Sequence, residues 1–140
     1  MKRADALQPL SRDHLKALLA AKRVVEAGDV DTAATAFLRF WEVERDHFRI
    51  EEEILLPHWA AHAEVDVVAV ERMLADHLAI RAGALRLERE ELSLADLHAL
   101  GTRLHDHVRF EERVLFGMIE DALDPAAMDR LGAALALAHP

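Results

Sequence analysis

Apolar residues recur along nearly the whole chain at spacings of three and four, and no stretch alternates apolar and polar for long. That period predicts amphipathic helices and no sheet. Glycine and proline are few, and Pro9, Gly28, Pro57 and Pro125 mark expected helix ends. The first helix is predicted over about 9–27, with Pro9 or Ser11 near its start and Gly28 as its stop. The second runs over about 31–56, capped by Asp29 or Asp31 and ended or kinked by Pro57, with 58–63 adding a further turn or two. The third covers about 66–91. The fourth begins at Ser93 or Ala95 and reaches about 122. Pro125 opens a short, alanine-rich fifth helix to about 138. The predicted inward stripe of the third helix is Val67, Val70, Leu74, His77, Leu78 and Leu85. That of the fourth is Leu97, Leu100, Leu104, His107, Glu111, Val114 and Met118. Phe37, Phe40, Trp41 and Trp59 join Met118 as expected core residues. Very short links make the paired helices antiparallel. The expectation is an all-α single domain of 140 residues. An up-down-up-down four-helix bundle occupies about 9–122, and the fifth helix either covers it or mediates self-association.

The pattern also repeats. His47-Phe48-Arg49-Ile50-Glu51-Glu52-Glu53-Ile54-Leu55-Leu56 returns 60 residues later as His107-Val108-Arg109-Phe110-Glu111-Glu112-Arg113-Val114-Leu115-Phe116. Asp13-His14-Leu15 precedes the first copy and Asp76-His77-Leu78 the second. The chain therefore reads His … His-x-x-x-Glu twice, as two helical hairpins related by a pseudo-two-fold.

Composition narrows the chemistry. With no cysteine, disulfides, thiolate metal sites, iron–sulfur clusters and thiol catalysis are excluded; with no tyrosine, so is a tyrosyl radical or acid. A net charge of −9 argues against nucleic acid and against an anionic membrane surface. No apolar run is long enough to span a bilayer and no signal-peptide pattern follows the first residues, so the expected location is the cytoplasm.

Histidine and glutamate four residues apart share a helix face, so His47 projects with Glu51 and His107 with Glu111. His14 and His77 lie on the apolar stripes of the first and third helices. Counting about 1.5 Å per residue from each hairpin turn puts His14 and His47 about 20–24 Å away, and His77 and His107 about 18–21 Å away. Within each hairpin the two histidines are thus level, and four imidazoles and two carboxylates converge. Buried without a partner they would be costly, and two cations would offset that cost. Imidazole with carboxylate suits iron, and also manganese or zinc. The competing arrangement is a metal-free bundle with His–Glu pairs as buried polar contacts. Solvent, an oxo or hydroxo bridge, or O2 would complete the metal shells.

These motifs, over about 10–120, resemble the hemerythrin-like HHE cation-binding domain family. The resemblance implies a non-haem di-iron centre in a four-helix bundle, with His14, His47, Glu51, His77, His107 and Glu111 as ligands. Two positions depart from the family's oxygen carriers. Met73 stands where carriers have a second histidine in the third helix. Glu112 holds the spacing of the carriers' last carboxylate, whereas Glu111 faces inward better and mirrors Glu51. The missing histidine points away from stable O2 transport and towards a more open site.

The expected function is binding or sensing of O2, NO or a related small oxidant. The alternatives are a peroxide-decomposing enzyme and iron storage or delivery. Glu44, one turn before His47, is a candidate extra ligand or hydrogen-bond acceptor; its counterpart is Leu104. Glu44-Arg45-Asp46-His47 has the spacing of ferritin-like sites, but those need a second copy that this chain lacks. His58, His62, His98, His105 and His139 are expected at the surface, and Arg49 and Arg109 in salt bridges to neighbouring helices.

Overall fold

The computed structural model describes residues 2–139. Every regular element among them is helical. A 3-10 turn, Asp5–Leu7, leads into α1, Gln8–Glu26. Helix α2 covers 30–62, α3 is Val67–Glu88, α4 covers 94–122, and α5 is Pro125–Ala138. The N-termini are fixed by side chains that accept otherwise orphaned backbone N–H groups. Asp29 accepts from Thr32, Asp66 from Ala69 and Asp124 from Ala127, while Ser93 and Asp96 cap each other reciprocally. Helix α1 ends just before Gly28, where Ala27 turns extended, and a left-handed residue, Glu90 at φ 58°, lies between α3 and α4.

Helices α2 and α4 are long because each passes through one wide turn. Over Glu51–Leu55 and Glu111–Leu115 the hydrogen bonds lengthen to the i→i+5 type, with Leu56 N–H donating to Glu51 and Phe116 N–H to Glu111. The two π-turns occupy equivalent positions of the repeat. Pro57 follows the first and so does not end α2. Its missing donor falls where the α-type ladder is already interrupted. Each wide turn also rotates everything after it. Leu115 and Ile119 are therefore buried, whereas Val114, expected inside, is exposed and Met118 only partly covered.

Helix α1 packs against α2 and α4, and α4 also packs against α3. The α1–α4 approach is close at Gly101, where a Cβ would meet Val24 at 2.9 Å. The inward face of α3 differs from the predicted one. It consists of Ala69, Met73, Asp76, His77, Ile80, Ala84 and Leu87, with Val67, Leu74, Leu78 and Leu85 exposed. Two apolar clusters fill the bundle. One surrounds Phe37, Trp41, Ile80 and Leu104. The other surrounds Trp59, Met73, Phe116 and Leu131, and α5 covers that end with Ala127, Leu131 and Leu135. Phe37, Trp41 and Trp59 are buried as expected, and Phe40 is partly so. Among the described residues no helix is long and apolar enough to cross a membrane.

Candidate metal centre

Among the described residues nine polar or charged ones are buried, including all six expected ligands. His14 comes from α1, His47 and Glu51 from α2, His77 from α3, and His107 and Glu111 from α4. Their donor atoms form two groups, each within 4.8 Å: His14, His47, Glu51 and Glu111, and Glu51, His77, His107 and Glu111. Both carboxylates belong to both groups. Glu51 places Oε2 3.0 Å from His47 Nε2 and Oε1 3.2 Å from His77 Nε2. Glu111 places Oε1 2.8 Å from His14 Nε2 and Oε2 3.1 Å from His107 Nε2.

All four carboxylate oxygens, with Nε2 of His77 and of His107, are buried without an aligned hydrogen bond. They approach one another at ion-pair distance but aim between one another rather than at one another. Buried polar atoms left this way are costly, and a cation between them satisfies them all. The nitrogens His14 Nε2 and His47 Nε2 are 3.1 Å apart. That is close to the edge of a coordination polyhedron with metal–nitrogen bonds of about 2.1 Å. The donor set fits two cations that share two carboxylates.

Why each imidazole turns Nε2 inward is explained by what holds its other nitrogen. His47 Nδ1 bonds Asp13 at 2.9 Å, His77 Nδ1 bonds Glu52 at 2.6 Å, His107 Nδ1 bonds Asp76 at 3.1 Å and His14 Nδ1 bonds Glu112 at 2.6 Å. The four contacts form a ring: α1 orients α2, α2 orients α3, α3 orients α4 and α4 orients α1. Each orienting carboxylate is the sequence neighbour of an inward residue, in Asp13-His14, Glu51-Glu52, Asp76-His77 and Glu111-Glu112. The π-turns begin at the two Glu-Glu pairs, so one glutamate faces the centre while the next reaches an adjacent helix.

Each orienting carboxylate is itself held from outside. Arg81 bonds Glu52 at 2.8 Å, Arg103 bonds Asp76 at 3.0 Å, and Ser11 bonds Glu112 at 2.8 Å. His139, expected at the surface, instead bonds Asp13 at 2.5 Å. His98 is likewise engaged, donating from Nε2 to the Ala27 carbonyl at the end of α1. Glu44 is buried beside Lys16, 3.1 Å away, and stands outside both donor groups. Arg49 pairs within its own helix, with Asp46 and Glu53, rather than across to another. His62 is exposed and His105 bonds its neighbour Asp106.

The electrostatics follow from crowding. Burial disfavours a charged imidazole, yet the carboxylates outweigh it and raise His47, His77 and His107 to about 9. His14 is raised well above the usual value by Glu111, Glu112 and Glu51 against the same burial. Burial likewise disfavours the Glu111 anion, but His107, His14 and His77 hold it well below the usual carboxylate range. Asp13, despite burial, is drawn down to about 2 by His47 and His139. Apolar rings flank the centre: Phe48 stacks on His77 with centroids 3.9 Å apart, and Phe116 on His14 at 5.2 Å.

The orienting carboxylates Asp13, Asp76 and Glu52 are the residues that the sequence did not assign. Their signal lay in the repeat, since both the Asp-His and the Glu-Glu pairs recur. Removing one, as in Asp76→Ala, should lower metal affinity about 10–100-fold, measured by chelator competition, with the helical content unchanged.

A family model, the hemerythrin HHE cation binding domain, matches residues 7–119. No curated protein and no solved structure matches the chain.

Proposed function

The chain belongs to the hemerythrin HHE cation-binding family, and from that premise we propose that it is a non-haem di-iron protein that binds or senses O2, NO or a related small oxidant. The observation that carries this reading is the sharing of Glu51 and Glu111 between two His-His groups. Two histidines and one oxygen from each glutamate would offer four protein donors to each ion. The imidazole–carboxylate set without thiolate suits iron, with manganese and zinc as the other ions it would accept.

Two iron ions would supply redox-active sites for a small ligand. The protein's part is to fix the donors and limit access. The carboxylate ring holds every Nε2 inward. Four protein donors would leave a six-coordinate ion two further positions for a small ligand. Met73 is fully buried on the face of α3, one turn from His77. It places a thioether where the oxygen carriers have an imidazole. The apolar clusters on either side favour a diatomic or peroxide-sized ligand over a larger one.

Binding is favoured over turnover because Asp13, Glu52, Asp76 and Glu112 are each committed to a histidine, and the chain has neither tyrosine nor cysteine to donate a proton. The decisive test is metal analysis with an optical spectrum after iron-replete expression. Two irons per chain with ligand-to-iron charge-transfer bands are expected, and protein that stays metal-free overturns the reading. A peroxide-consumption rate above that of free iron would transfer the assignment to an enzyme. Met73→His should lengthen the lifetime of the O2 complex. Unchanged spectrum and O2 kinetics would show that position 73 does not influence the centre.

A further inference from the structure

Helix α3 has a second apolar face. Val67, Leu74, Leu78 and Leu85 are 61%, 43%, 70% and 49% exposed. Their spacing of seven, four and seven residues is that of a coiled-coil seam, and it lies about a third of a turn round the helix from the face that carries Met73, His77 and Ile80. The two remaining seam positions are Glu71 and Arg81. The stripe is not a consequence of the hairpin architecture, because α1, the counterpart of α3, has exposed Lys22 where α3 has Leu85.

We propose that this face is an interface between two copies of the chain, paired antiparallel along α3. The argument is self-complementarity. When two α3 helices run antiparallel about a two-fold axis level with residue 76, Val67 meets Leu85 of the second copy, Leu74 meets Leu78, and Glu71 meets Arg81. Every apolar position then faces an apolar position, and each acid faces a base. A parallel, in-register pairing would set Glu71 against Glu71 and Arg81 against Arg81. The axis makes each contact occur twice, as a two-fold interface requires. The seam is about 27 Å long at 1.5 Å per residue. Ala75 and Ala82, both exposed beside it, leave room for close approach. Arg81 holds Glu52 through Nη1 at 2.8 and 3.0 Å, and a guanidinium has further N–H groups for a second carboxylate. The seam therefore passes over the arginine that steadies the carboxylate of His77.

Sedimentation equilibrium on the full chain tests the pairing. The expected mass is twice that of the chain at tens of micromolar protein, falling to the chain mass for Leu74→Glu combined with Leu78→Glu, with helical content unchanged. These side chains are exposed, so the monomeric variant should fold. A wild-type mass equal to one chain overturns the proposal, as does a double variant that stays dimeric. Because the chain has no cysteine, single-cysteine variants read the orientation. Leu74→Cys mixed with Leu78→Cys should form the mixed disulfide several-fold faster than either forms a disulfide with itself. Faster self-linkage of either variant overturns the antiparallel register.

Discussion

If the centre holds two ions as proposed, Glu51→Ala should leave at most one per chain, and lower the affinity of any remaining site more than 100-fold. The size follows from position. Glu51 is fully buried, and its two oxygens serve different histidines, Oε2 beside His47 and Oε1 beside His77. Its loss therefore removes a donor from both groups at once, and exceeds the 10–100-fold cost usual for a residue that only orients a ligand. Glu111→Ala should behave alike, since its oxygens serve His14 and His107. Glu53→Ala, on an exposed residue of the same turn, is the control and should retain both ions. Metal analysis after gel filtration, with circular dichroism to confirm the helices, gives the result. Two ions retained by the Glu51 variant would show that the carboxylate is not shared.

Stripping the metal should lower Tm by more than about 10 °C and change how stability depends on pH. At free metal about 1,000-fold above Kd each ion adds about 4 kcal/mol, and each kcal/mol moves Tm by roughly 2–8 °C for domains spanning this size range. In the stripped protein His47, His77 and His107 have folded pKa values of about 9, above the ordinary 6.5. Their contribution is fully present below pH 6.5 and is lost as pH rises through about 9. Stripped protein should thus melt progressively earlier from pH 6.5 to 9. Loaded protein should not show this loss, because the same Nε2 atoms hold metal instead of protons. Metal affinity should run the opposite way and weaken as pH falls below about 9. On the acid side, Asp13 is depressed to about 2 from 3.8. Its contribution is present above pH 3.8 and lost as pH falls through 2. Thermal melts with and without chelator at pH 6, 7.5 and 9 check the alkaline sign, which equal losses in both forms would contradict; melts between about pH 2 and 5 check the acid one.

The six inward residues were legible because they obey local rules. A helix places i and i+4 on one face whatever surrounds it, so His47 with Glu51 and His107 with Glu111 follow from spacing alone. Rise per residue then sets the heights of His14 and His77. The third helix shows where such rules stop. Periodicity reports that a face is apolar, not which of two faces turns inward. Here the buried face carries Asp76 and His77 among Ala69, Met73, Ile80, Ala84 and Leu87, while a second apolar stripe, with Leu74, Leu78 and Leu85, is outside. The polar centre demanded that orientation, and hydrophobicity read by itself did not choose between the two.

The sequence by itself determined the helices, the duplicated His-x-x-x-Glu and the level at which the histidines meet, because each depends on residues only a few turns apart. The tertiary structure decided the rest. The ring from Asp13, Glu52, Asp76 and Glu112, the hold of His139 on Asp13 and the outward face of α3 all arise between helices, and the wide turns inside α2 and α4 aim Glu52 and Glu112 at their neighbours. Their energetics depend on which side chains meet across an interface, and that is settled only when the four helices pack around buried charge.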